Sequence, residues 1–161
     1  MNKENGIVRV VPMNKLSWEY LISEGDRLMG VANYAWMDGE GWIEINRNNF
    51  RINSCAQNSD LMILHGPKNE LALAKKQGGF FCEEFEVEYQ DRKIIMRSKS
   101  SLEREFVLIE NGNQVGSITP ENNTSNSTSA NFDRLFPIAL KAFLIGLALN
   151  AWAYSSCYEN A

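Results

Sequence analysis

The chain has 161 residues, 44% of them hydrophobic and 22% charged, with a formal charge of −4 and a sequence pI near 5.1. That length suits one well-buried core rather than two, because domains commonly run to roughly 100–150 residues, and the composition excludes disordered, fibrous and multi-span membrane classes. The acidic balance argues against nucleic acid as the main partner, since phosphate binding needs a basic footprint.

From the N-terminus, no apolar stretch of signal-peptide length precedes Trp18, so no cleaved export signal is expected. Period-two alternation then dominates the chain, and it sends successive side chains to opposite faces of a sheet. Short strands are expected near Ile7–Val11 and Leu16–Ile22. Leu28–Trp36 and Trp42–Ile45 should pair across Met37–Gly41, whose glycines permit a tight turn. Asp60–His65 and Glu70–Lys75 flank the turn residues Gly66-Pro67-Lys68-Asn69. Too little chain lies between that turn and Gly78-Gly79 for Leu-Ala-Leu-Ala to make a useful helix, so it is read as strand.

The strongest alternation is Glu84–Tyr89, with Phe85, Val87 and Tyr89 on one face and Glu84, Glu86 and Glu88 on the other, followed by a turn at Gln90–Arg92 and a strand at Ile94–Arg97. Phe106–Glu110, Asn111-Gly112 and Gln114–Ile118 form the clearest hairpin. About ten strands with short connections predict an antiparallel sandwich or closed barrel. The polar stretch Pro120–Asn131 is expected to be a surface loop.

Beyond that loop the period changes. Phe136–Tyr154, within a helix expected over about 134–155, holds only two clearly polar residues, Lys141 and Asn150, which lie on opposite sides at 100° per residue. Such a helix spans about 28 Å, near the thickness of a bilayer core, so a tail anchor is one reading. The other is burial within the β-structure. It is favoured by the two polar interruptions and by Ala139, Ala142, Gly146, Ala148 and Ala151, which make the helix narrow.

Candidate chemistry is sparse. Cys55, Cys82 and Cys157 stand in no CxxC or Cys/His spacing, so neither a disulfide framework nor a metal site is expected, and reduced thiols of a cytoplasmic protein are the default. The single histidine, His65, ends a strand and builds no triad or metal cluster by itself. Glu84, Glu86 and Glu88 read as a solvated strand face, and Gly78-Gly79 as a bend. Lys75, Lys76, Arg92, Lys93, Arg97 and Lys99 fall in two neighbouring strand regions. They form either a basic patch for anionic lipid headgroups or an ordinary solvated edge. Trp18, Trp36, Trp42 and Trp152 read as core or barrel-rim residues, with dipping into a membrane interface as the alternative for exposed ones. No cofactor and no catalytic residue is expected.

Three stretches, Gln77–Val87, Phe106–Ile118 and Phe132–Leu144, carry a resemblance in layout along nearly the whole chain. Strands, an Asn-Gly turn, a Val-Gly-Ser-Ile strand, a polar loop and a final Ala/Leu/Gly-rich helix resemble the tubby-like superfamily, especially its phospholipid scramblase and LURP-one-related branches. The resemblance implies a single domain over 1–161, a closed antiparallel barrel of about 10–12 strands enclosing a central hydrophobic helix. It also implies a non-enzymatic role in binding phospholipid headgroups, a membrane surface or a protein partner, in the cytoplasm or peripheral to a membrane. The acidic calcium-binding segment of eukaryotic scramblases has no counterpart, since the loop before the helix carries only Glu121 and Asp133. No functional residue of the family is carried over. A structural or scaffold role as a tail-anchored β-domain is the competing reading.

Overall fold

The computed structural model describes residues 6–14, 18–36, 40–55, 58–77, 84–99, 104–122, 126–132 and 136–159. Among the described residues twelve strands precede a single helix: β1 (Ile7–Pro12), β2 (Glu19–Glu24), β3 (Arg27–Asn33), β4 (Glu40–Ile45), β5 (Asn48–Cys55), β6 (Asn58–His65), β7 (Glu70–Gln77), β8 (Glu84–Tyr89), β9 (Arg92–Ser98), β10 (Phe106–Glu110), β11 (Asn113–Pro120) and β12 (Thr128–Phe132), then α1 (Ile138–Glu159). Each strand pairs antiparallel with its chain neighbours, and β1 pairs with β12, so the meander closes into a barrel. Closure removes the unpaired edges that an open sheet would expose.

Alternation decides which side chains enter the barrel. Val8 and Val10, Tyr20 and Ile22, Ile43 and Ile45, Phe85 and Val87, Ile94 and Met96, and Phe106 and Leu108 all point inward and are buried. An eight-stranded barrel is filled by its own side chains, whereas twelve strands leave a lumen that something must occupy. Here the occupant is α1, and residues 139–149 of it are buried at every position. The apolar perimeter of the helix therefore faces protein all round. Each Leu or Phe so enclosed contributes on the order of 1.5–3 kcal/mol of burial. The helix begins after Pro137, whose carbonyl accepts the first helical bond from the Lys141 amide at 3.1 Å, a position where proline's missing N–H costs nothing.

Small residues let wall and helix approach. Trp36 shows this best: a Cβ on Gly41 of β4 would lie 2.2 Å from its indole, and one on Gly146 of α1 would lie 2.5 Å from it. The indole is wedged between two backbones. Its ring lies 5.5 Å from those of Tyr34 and Phe143, and Tyr34 lies 5.2 Å from Tyr20, so an aromatic chain joins β2 to the helix.

Four expectations need correction. The strand read over Leu28–Trp36 ends at Asn33, because Tyr34 and Trp36 turn into the lumen; the Asn33 side chain accepts the Ala35 amide at 2.9 Å and holds that turn. The polar stretch Pro120–Asn131 is not all loop. Thr128, Ala130 and Phe132 are buried inward residues of β12, the strand that closes the barrel. β5 was not expected, since Asn48–Cys55 carries few apolar residues and follows a turn without glycine; Asn46 and Arg47 both adopt positive φ, 50° and 67°. The helix starts four residues later than expected, at Ile138, and runs on to Glu159. The expected Asn111-Gly112 turn is present, with φ of 52° and 78°. The bend at Gly78-Gly79 lies outside the described residues.

Candidate functional site

The six basic residues proposed for headgroup binding lie on β7 and β9 and just past the end of β9, with the acidic strand β8 between the two strands. Lys93 and Arg97 point outward and reach back to β8, Lys93 to Glu86 at 3.0 Å and Arg97 to Glu84 at 2.7 Å. Lys75, also outward, is in register with Glu86. Lys99 pairs with Glu105 at 3.3 Å. Arg92 is on the inward face at the opposite end of the barrel, where it holds both Glu110 oxygens at 2.6 and 2.7 Å and lies over the Phe136 ring. Lys76 faces inward near the other end, in register with buried Phe85.

Cations and carboxylates therefore alternate across this wall, as opposite charges in neighbouring strands do when they stabilise a sheet. The Glu86 carboxylate hydrogen-bonds the Lys93 ammonium and raises its pKa, keeping the charge within a local pair. Glu84, Glu86 and Glu88 lie on the outer face, as the alternation implies. His65 is half-buried on β6 between Arg51 and Glu70 in register. Among the described residues, no group of three His, Cys, Asp or Glu is arranged to hold a metal.

One end of the barrel carries a small cleft of about 120 Å³, lined by Trp18, Tyr20, Arg104, Asn126, Thr128 and Trp152. The helix positions Trp152 there, 5.9 Å from the Phe106 ring. Burial raises the Tyr20 pKa, partly offset by a hydrogen bond with Asn126. Burial also holds the Tyr34 phenol well above its ordinary value, and its hydroxyl donates to the Ala142 carbonyl at 2.9 Å. Both phenols stay protonated near neutrality, and Tyr34 serves as a structural donor rather than a base. Trp36 is core and Trp18 and Trp152 line the rim cleft, whereas Trp42 is on the outer wall of β4, half-buried in a second groove.

Lys141 and Asn150, the two polar residues of the apolar span, both bond to protein, and among the described residues the Asn150 Oδ1 is left buried without a partner. Lys141 donates to Glu24 of β2 at 2.9 Å and sits 5.9 Å from the Phe132 ring. The Asn150 amide donates to the Tyr34 and Gly146 carbonyls at 3.1 and 2.9 Å. Among the described residues no helix is long and apolar enough to cross a membrane. The apolar surface that suggested a tail anchor is buried inside the barrel. The barrel wall has an apolar interior and outward charges such as Glu44, Arg51, Lys75, Glu88 and Lys93, the reverse of a membrane-spanning barrel.

Comparison of the chain with protein-family models, with curated proteins and with solved structures finds no match.

Proposed function

We propose that the chain is a non-enzymatic, tubby-like binding domain of the scramblase and LURP-one-related kind, and that it engages phospholipid headgroups at a membrane surface. The observation that carries this reading is the closed twelve-strand barrel occupied by its own C-terminal helix. A lumen filled by the chain itself leaves little room for an enclosed substrate, so recognition falls to the rim and outer wall. The rim cleft supports a membrane-facing role, because Trp18 and Trp152 beside Arg104 combine amphipathic rings with a cation, the mixture suited to a bilayer interface. Lys75, Lys76, Arg97 and Lys99 near the same end, with Lys93 further along, are the candidate headgroup contacts, whereas Arg92 is held by Glu110 at the opposite end. Their engagement requires anionic lipid to compete with Glu84, Glu86 and Glu105. Protein partners are the alternative occupants of the same surface.

Co-sedimentation of the full chain with vesicles tests the reading. Retention should appear with phosphatidylcholine vesicles containing phosphatidylserine at low salt, weaken at about 0.15 M salt as screening sets in, and fall in Arg104→Gln. No retention on anionic vesicles at low salt overturns it.

A further inference from the structure

Several outward charges on the barrel wall pair with one another, as those of Arg9, Lys93, Arg97 and Lys99 with their carboxylates do. The wall of β3, β4 and β5 carries a different feature. A groove of about 450 Å³ opens there, lined by Trp42, Asn33, Glu40, Asn49, Arg51 and Asn53, a volume within the roughly 300–1,000 Å³ that small-molecule sites occupy.

Register shows how these side chains are arranged. Asn33 and Arg51 stand directly opposite Trp42 on its two neighbouring strands. Glu40 is two residues along the same strand and has Asn53 opposite it, while Asn49 is two residues before Arg51. Direct cross-strand neighbours are about 4.5–5.5 Å apart and diagonal ones about 7–8 Å, so five polar side chains ring the indole at the reach of one sugar ring. Among the described residues none hydrogen-bonds the side chains of Glu40, Trp42, Asn49, Arg51 or Asn53. Asn33 is held by the Ala35 amide through its oxygen, which fixes its amide beside the indole.

We propose that this groove binds a neutral saccharide, with a hexose-sized ring stacked on Trp42. A pyranose has an apolar C–H face and a rim of hydroxyls that both donate and accept. An aromatic surface edged by asparagine amides, one carboxylate and one guanidinium matches both parts. The outward Glu40 and Glu44, two residues to either side of Trp42, outweigh Arg51, which suits an uncharged ligand over a phosphate. A carboxylate and three amides around the indole also oppose its insertion into a bilayer. The proposal is independent of the headgroup reading, which concerns other strands and the barrel rim.

The test is a titration of the full chain, followed by two-dimensional amide and indole NMR, with glucose, galactose, mannose, N-acetylglucosamine and cellobiose to about 50 mM, where millimolar affinities approach saturation. At least one sugar should shift the Trp42 indole resonance saturably, while glycerol, which lacks an apolar ring face, should not. Trp42→Ala should abolish the saturable shifts of the neighbouring β3–β5 backbone amides. Arg51→Gln and Asn53→Ala, outward changes that leave the core intact, should each weaken it about tenfold, the equivalent of one well-placed hydrogen bond. The proposal is overturned if no sugar gives a saturable shift, if glycerol acts equally, or if Asn53→Ala and Arg51→Gln bind as the parent does. Anionic vesicles shifting the Trp42 indole while no sugar does would also overturn it, and would assign the groove to a membrane surface.

Discussion

At the scale of single residues, the Lys141–Glu24 pair shows how an ammonium survives inside an apolar barrel. The Lys141 side chain is 7% exposed and that of Glu24 26%, so the two ends of the pair have different access to water. Removing either partner should therefore have unequal effects. Glu24→Ala strands the enclosed ammonium and should cost about 3–5 kcal/mol. Lys141→Met leaves a carboxylate that can rehydrate and should cost distinctly less. Urea denaturation of the two variants checks the order, and equal midpoints would refute it. Arg9 and Glu121 make a more exposed pair, with contacts of 2.5 and 2.8 Å that span β12. The hydrogen bond from Arg9 holds the Glu121 carboxyl below its usual value of 4.5, against a smaller opposing effect of burial. A depressed carboxylate stabilises the fold above the unfolded pKa and loses that contribution as pH falls through the folded one. Arg9 stays charged throughout. With both groups partly solvated, the pair contributes about 0.2–1 kcal/mol. The stability gap between the parent and Glu121→Gln should accordingly be open at about pH 6 and narrow as pH falls below the ordinary carboxyl value, as followed by thermal melting at each pH.

Among the elements, the helix depends on what surrounds it. Gly146 would ordinarily weaken a helix by about 1 kcal/mol relative to alanine, yet its Cβ position is taken by Trp36 at 2.5 Å and Tyr34 at 2.6 Å. Gly146→Leu should overpack the lumen and cost a few kcal/mol, and even Gly146→Ala should lower the melting temperature despite its better helix propensity. A rise in melting temperature for the alanine variant would mean that Trp36 moves aside freely. The strands follow a similar logic. β5 owes its place to Phe50 and Ile52 on the inner face, while five of its eight residues are Asn, Ser or Arg. Its preceding turn uses Asn46-Arg47 in the left-handed region, and only neighbouring structure makes an arginine there acceptable.

On the scale of the whole molecule, the seam between β1 and β12 joins the two ends of the meander, and Ser129 of β12 sits in register with Arg9 on one side and Thr119 on the other. A strand paired on both sides cannot accept proline without losing a ladder bond. Ser129→Pro should open the barrel and cost about 3 kcal/mol or more, whereas Ser129→Ala should be nearly neutral; the cooperativity and midpoint of denaturant unfolding separate the two. Because the lumen is filled by α1, opening the seam also uncovers the helix, so the loss should be global rather than local.

The alternation of Glu84–Tyr89, the Asn111-Gly112 turn and the largely apolar run from Phe136 were sufficient by themselves to define strands, a hairpin and a helix without a wet face, since each is a local consequence of side-chain period and backbone preference. β5 and β12 were not legible, because their inward residues are few and their outward ones polar, and a strand with one lumenal face needs only every second residue to be apolar. The basic residues of β7 and β9 were visible as composition; only the pairing with β8 revealed their carboxylate neighbours. Trp42 read as core or rim until register put it outside among asparagines. The sequence thus determined the elements and the apolar character of the helix. Whether that helix met lipid or protein was decided by tertiary structure alone, because hydropathy measures how strongly a surface avoids water and carries no record of what replaces it.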